Sequence, residues 1–149
     1  MPRHNRLDLA RVLLARAVDD ETLVRKVSSD ADVADAIVGF HAQQAAEKLI
    51  KAVLAARDVT FVKSHALSYL IGLVEEHDIM APEELAEADL LSPWAVEFRY
   101  EGEEPPALDR SASLALVEQL RMWTESEIKA ATDQPSEPDQ RKPSGDQPE

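Results

Sequence analysis

Residues 40–54 read Phe40-His41-Ala42-Gln43-Gln44-Ala45-Ala46-Glu47-Lys48-Leu49-Ile50-Lys51-Ala52-Val53-Leu54, and this run decides the fold class. Nearly all of it is Ala, Leu, Ile, Gln, Glu and Lys, which lose little on entering a helix, and no Pro interrupts it. Extended to its boundaries, the pattern predicts one helix over about 32–57, with Gly39 its only glycine. Ala42, Ala45, Leu49 and Val53 share one side of the wheel, and Ile50 and Leu54 a second. Val33, Ile37 and Phe40 begin a third side that turns polar at Gln44, Glu47, Lys48 and Lys51. A helix apolar around most of its circumference has neighbours on several sides, so this one is expected at the centre of a bundle. Ala42, Ala45, Ala46 and Ala52 would let those neighbours come close.

Working outward, Ser28-Ser29-Asp30 separates this helix from an earlier one that Asn5 could cap. That first helix carries Leu7, Ala10, Leu14 and Ala17 on one stripe and continues through Leu23, Val24 and Val27, with a break possible at Asp19-Asp20. On the other side, 57–63 reads as a connector, and Ser64 is expected to cap a third helix with Leu67, Leu70, Ile71 and Val74 at helical spacing. Met80-Ala81-Pro82-Glu83-Glu84 is a restart, with proline and acids at a helix's positive end. Ser92-Pro93 predicts another short helix carrying Trp94 and Phe98. After Gly102–Pro106 breaks the chain, Asp109 or Ser111 opens the last helix, with Leu116, Leu120, Trp123 and Ile128 as its buried stripe. The expectation is all-α: an up-and-down bundle of four main helices plus one or two short ones over residues 1–131. Residues 132–149, with four prolines among charge, Ser and Gln, are expected to form a disordered acidic tail.

Composition agrees with one helical domain of 149 residues: 44% hydrophobic, 5% aromatic and only 4 glycines. There is no cysteine, so disulfides and thiolate metal sites are excluded. No leader and no apolar run of about 18 residues appears, which makes a cytoplasmic protein without membrane spans the default expectation. The formal charge of −13 is uneven: residues 1–65 sum to +1 and residues 66–149 to −14. Such a balance repels nucleic acid at long range, leaving Arg3, Arg6, Arg11 and Arg16 as the one basic cluster. A Gly-rich phosphate loop, a Gly-x-Ser-x-Gly elbow and a His-Glu-x-x-His helix are all missing. His4, His41, His65 and His77 nowhere share ligand spacing on one helix, so neither a metal nor any other cofactor is expected.

Three stretches taken together carry a family likeness. They are the Gln43-Gln44-Ala45-Ala46-Glu47-Lys48-x-x-Lys51 run, the Ser64-His65-Ala66-Leu67 start of the next helix, and Phe98-Arg99-Tyr100 before the last helix. In this order they resemble the HEPN domain family of prokaryotic helical proteins, over about Leu7 to Ala131. The resemblance implies a homodimer, often partnered by a minimal nucleotidyltransferase in toxin–antitoxin or other defence modules. It also implies, for many members, a metal-independent ribonuclease whose site is an Arg followed four to six residues later by a His. Two such pairs would meet across the dimer, the cations polarising a phosphate and the His moving a proton.

This chain departs from that pattern at the decisive place. Arg99 is followed by Tyr100, Glu101, Gly102, Glu103, Glu104, Pro105 and Pro106, and no His occurs downstream. Acids there would repel phosphate. The reading is therefore a dimeric interaction protein without the family's standard ribonuclease site, leaning against an enzyme. One alternative is a diverged ribonuclease using Arg99 with His65 or Tyr100; another is a nucleotide-binding module at Lys48 and Lys51. Gln44, Glu47, Lys48 and Lys51 keep three open roles. Glu47 and Lys51 could form a solubilising i, i+4 pair, Gln44 and Lys48 could fix the Arg99-Tyr100 turn, or the group could bind a ligand. His41 is expected to be packed and hydrogen-bonded, and His65 to orient a neighbour. The expected dimer interface combines the short Ser92–Tyr100 helix with the last helix, using Trp94, Phe98 and Trp123.

Overall fold

A computed structural model describes residues 2–64, 66–96 and 107–134. These form α1 (Arg3–Val27), α2 (Asp35–Ala56), α3 (Leu67–Glu76), a 3-10 segment (Glu83–Trp94) and α4 (Arg110–Asp133). No strand occurs among the described residues. The fold is the expected all-α bundle, and α2 is its axis: it packs on α1, α4, α3 and the 3-10 segment, whereas α1 touches only α2 and α4 among these elements. Ala42, Ala45, Ala46, Leu49, Ile50, Ala52, Val53 and Leu54 are all fully or almost fully buried, as an all-round apolar helix requires.

The ends of α2 and α3 share one device. Asp58 and Asp78 adopt positive φ values of 59° and 53°. Behind them Val59 N–H donates to Leu54 O, and Ile79 N–H donates to Val74 O. Paired with the bonds closing smaller rings from Asp58 to Ala55 and from Asp78 to Glu75, these are left-handed C-terminal caps made with Asp where Gly is commoner.

Several boundaries differ from the sequence expectation, each for a physical reason. No break occurs at Asp19-Asp20: α1 runs on because Asp20 and Glu21 point inward and find cations, as described below. Its first residue is Arg3, so Asn5 lies inside the helix and caps nothing. Ser64 does not cap α3; its Oγ accepts from Ala66 N–H one turn early, and the helix begins at Leu67. The Ser92-Pro93 restart is also absent, because Pro93 lies inside the continuous 3-10 segment. There Leu85, Ala88, Leu91 and Trp94 recur every three residues and all are buried, which is the 3.0-residue period of a 3-10 helix. Asp109 does cap α4, its carboxylate accepting from Ala112 N–H.

Trp94 retains only 2% of its surface and packs on Gly39 of α2, where a Cβ would come within 2.6–2.8 Å of the indole ring. It is therefore a core residue and is not available to a dimer interface. The other end of the bundle closes through small residues: Ala10, Ala52, Ala55, Ala56 and Ala131 pack with Leu7 and Ile128. Arg3 there donates to the carbonyls of Ala131 and Gln134, so α4 continues to Asp133, two residues past the expected limit of the bundle. The expected tail otherwise lies outside the described residues. No helix among the described residues is long and apolar enough to cross a membrane.

Candidate functional site

The polar side of α2 carries two adjoining clusters. In the first, Asp20 of α1 receives Lys48 Nζ on Oδ2 at 2.5 Å, and its Oδ1 lies 2.9 Å from His41 Nδ1. The Asp20 side chain is only 11% exposed, so the two α2 partners compensate its desolvation. In the second, Lys51 Nζ donates to Glu47 Oε1 at 2.7 Å. Glu47 Oε2 accepts from the amides of Gln43 and Gln44, each at 3.3 Å, and Gln44 also donates to Gln43 Oε1 at 2.7 Å. Lys51 stands 6.0 Å from the Phe61 ring centroid, within cation–π reach.

The site residues named from sequence thus divide. Gln44, Glu47 and Lys51 come together in one network, and Lys48 turns the other way to Asp20. The Glu47–Lys51 pair is not a solubilising surface pair: the two side chains are 4% and 14% exposed. His41 is hydrogen-bonded and half-buried, as expected. His65, Arg99 and Tyr100 lie outside the described residues, as does any contact from Gln44 or Lys48 to the Arg99-Tyr100 turn.

Sequence reading missed the seam behind this site. Arg121 of α4 donates Nε to both carboxylate oxygens of Glu21, at 3.0 and 2.9 Å, and Nη1 to Glu125. The hydrogen bonds that Arg121 donates, first to Glu21 and then to Glu125, hold its guanidinium above its ordinary pKa. Arg25 bridges Glu21 and Glu118. Arg57, at the end of α2, is spent on Glu127 at 2.5 Å. Arg110 fastens the α1–α2 turn by donating to Asp35 and to the carbonyls of Val27, Asp30 and Val33. One weak signal existed for Glu21, Arg25, Glu118 and Arg121: charges sitting at helical spacing beside apolar stripes on α1 and α4. Their pairing across about a hundred residues depends on how the helices pack, which spacing within one helix does not encode.

Chemically, this arrangement neutralises its own cations. A phosphate is drawn to a cation whose charge is not already offset, whereas Lys48, Lys51, Arg57 and Arg121 each face a carboxylate. No cluster of three or more His, Asp or Glu among the described residues suits a metal. Two clefts of about 260 and 210 Å³ open elsewhere, and neither is lined by Gln44, Glu47, Lys48 or Lys51. Both are small beside ordinary ligand sites.

A model of the HEPN domain family matches residues 10–129 of this chain. No curated protein and no solved structure matches it.

Proposed function

This chain belongs to the HEPN domain family, and we propose that it works as a homodimeric interaction protein that does not cleave RNA by the family's Arg–His pair. The observation that carries this reading is the internal neutralisation of the family's α2 motif: its two lysines are tied to Asp20 and Glu47. A motif so committed braces the bundle and leaves recognition to the outer surface. The sequence adds its own support, since no His follows Arg99 and the next five residues include Glu101, Glu103 and Glu104. The partner in this reading is a minimal nucleotidyltransferase of a toxin–antitoxin or defence module, and the site of action is the cytoplasm.

General acid–base catalysis contributes roughly 10²–10⁴ in rate and requires a proton carrier within hydrogen-bond reach of the reacting oxygen. The test incubates the purified protein with structured and unstructured RNAs, without added metal, beside an Arg99→Ala variant. The expected outcome is intact RNA in both. Cleavage that disappears in Arg99→Ala would overturn the proposal in favour of a ribonuclease using Arg99 with His65 or Tyr100.

A further inference from the structure

The outer face of α1 carries an unused seam. Leu9, Val12, Arg16, Asp19, Leu23 and Lys26 succeed one another at alternating steps of three and four residues, the repeat by which one helix packs along another. All six are exposed, whereas Ala10, Ala17 and Val24 between them turn into the core. Leu9, Val12 and Leu23 keep 36%, 51% and 37% of their surface, so the apolar members of the seam are left in water. Its charged members are also uncommitted. Asp8, Arg11, Asp20, Glu21 and Arg25 of the same helix all have ionic partners. Arg16, Asp19 and Lys26 have no hydrogen bond or ion pair through their side chains among the described residues.

The order of these residues is self-complementary in one orientation. With a second α1 laid antiparallel, about a twofold axis midway between Arg16 and Asp19, Arg16 faces Asp19 of the second copy and Asp19 faces its Arg16. Val12 then meets Leu23 of the second copy on one side, and Leu23 meets its Val12 on the other. Leu9 lies under the aliphatic stem of the second copy's Lys26, whose ammonium reaches water. Parallel packing would instead set Arg16 against Arg16 and Asp19 against Asp19, which like-charge repulsion opposes. The pattern spans 18 residues, Leu9 to Lys26, about 26 Å of helix. An isologous contact of this kind closes on itself as a dimer.

We propose that α1 is the surface on which a second copy of this chain docks, antiparallel, with two reciprocal Arg16–Asp19 pairs at the centre and Val12–Leu23 contacts on either side. The proposal rests on the homodimer reading above and names its interface. That interface replaces the expected one at the 3-10 segment and α4, from which the burial of Trp94 removes an anchor.

Sedimentation of the full chain at tens of micromolar is the test, a range suited to micromolar self-association. Wild type is expected to be dimeric. Arg16→Glu places two like-charged clusters at the axis and should weaken the dimer roughly tenfold or more. Asp19→Arg should do the same with the opposite sign. The two single variants mixed together restore both pairs and should form a heterodimer, and the double variant carrying both changes should dimerise alone. Circular dichroism confirms that each variant folds, since the altered side chains are exposed. A dimer that survives Arg16→Glu but dissociates in Met122→Glu, on the outer face of α4, would overturn this interface while leaving the homodimer reading intact. A monomeric wild type would overturn both.

Discussion

The two sides of α2 are held by different forces. Toward α1 and α4 lie the buried or half-buried pairs Lys48–Asp20, Arg121–Glu21 and Arg57–Glu127. Toward α3 and the 3-10 segment no ion pair is found among the described residues, and Leu67, Leu70, Ile71, Val74, Leu85, Leu91 and Trp94 supply the contact. The chain explains the contrast. Residues 66–96 contain seven acids and no Lys or Arg, so that side has nothing with which to pair a buried carboxylate and keeps its acids outside. Desolvating a charge is tolerated only beside a compensating partner. The basic residues of the first half, with Arg110 and Arg121, let α1, α2 and α4 bury acids that α3 must expose.

The sharpest way to break the comparison is to remove one ionic partner. Arg121→Met leaves Glu21, whose side chain is 3% exposed, with Arg25 alone. Breaking a buried pair by deleting one member typically costs about 3–5 kcal/mol. Retention of Arg25 puts the expected loss near the lower limit, about 3 kcal/mol by urea unfolding. The double variant Glu21→Leu, Arg121→Met converts the seam to the apolar kind found beside α3. It should recover most of that loss, because replacing both ions together is often neutral. A double variant no more stable than the single one would mean that the seam contributes through geometry peculiar to the ions, and the contrast between the two sides would lose its energetic meaning.

The junction between the two sides is Gly39, which also marks how far the sequence could be read. The central position of α2 was legible from residues 40–54, because an all-round apolar helix has few alternatives to burial on several sides. The Asp109 cap was legible as well, since capping is local chemistry. Asp19-Asp20 misled: acids in sequence suggest an interruption, and only the packed position of Lys48 and His41 makes Asp20 admissible inside. The restart after Pro82 was legible from its proline and acids, but the 3-10 character of the segment was not, because the period of three from Leu85 to Trp94 is fixed by packing that a start signal does not encode. The fit of Trp94 on Gly39 is a contact between distant segments with no local signature. Gly39→Ala tests it directly. The new Cβ would meet a rigid ring at 2.6–2.8 Å, and overpacking of this kind costs about 1–3 kcal/mol, outweighing the gain in helix propensity. Thermal unfolding should show the loss. An unchanged or raised melting temperature would show that the 3-10 segment yields at no cost, and the apolar side would be looser than its burial implies.

The smallest expected effect concerns salt, and its sign separates the two sides. A census of ion pairs would suggest that salt destabilises this protein. The most enclosed pairs are shielded from mobile ions, however, and the exposed ones, such as His4–Asp8 and Lys129–Asp133, are of a kind worth about 0–1 kcal/mol each. Against them stand Glu75, Glu76, Asp78, Glu83, Glu87 and Asp89, all exposed on the side that contains no cation, in a chain of net charge −13. Their mutual repulsion acts through solvent and is screened once the Debye length falls to about 10 Å at 0.1 M. Raising sodium chloride from about 0.02 to about 0.5 M, a range that spans this length, should therefore stabilise the fold by about 0.5 kcal/mol, or about 1–3 °C in melting temperature. Hydrogen exchange locates the gain: amides of Leu70, Ile71 and Val74 should slow with salt, and those of Val24 and Leu120 should change little. A melting temperature that falls with salt would mean that the pairs of α1, α2 and α4 are more open to solvent than their burial indicates. The division between an ionic and an apolar side would then have to be redrawn as one between two solvated surfaces.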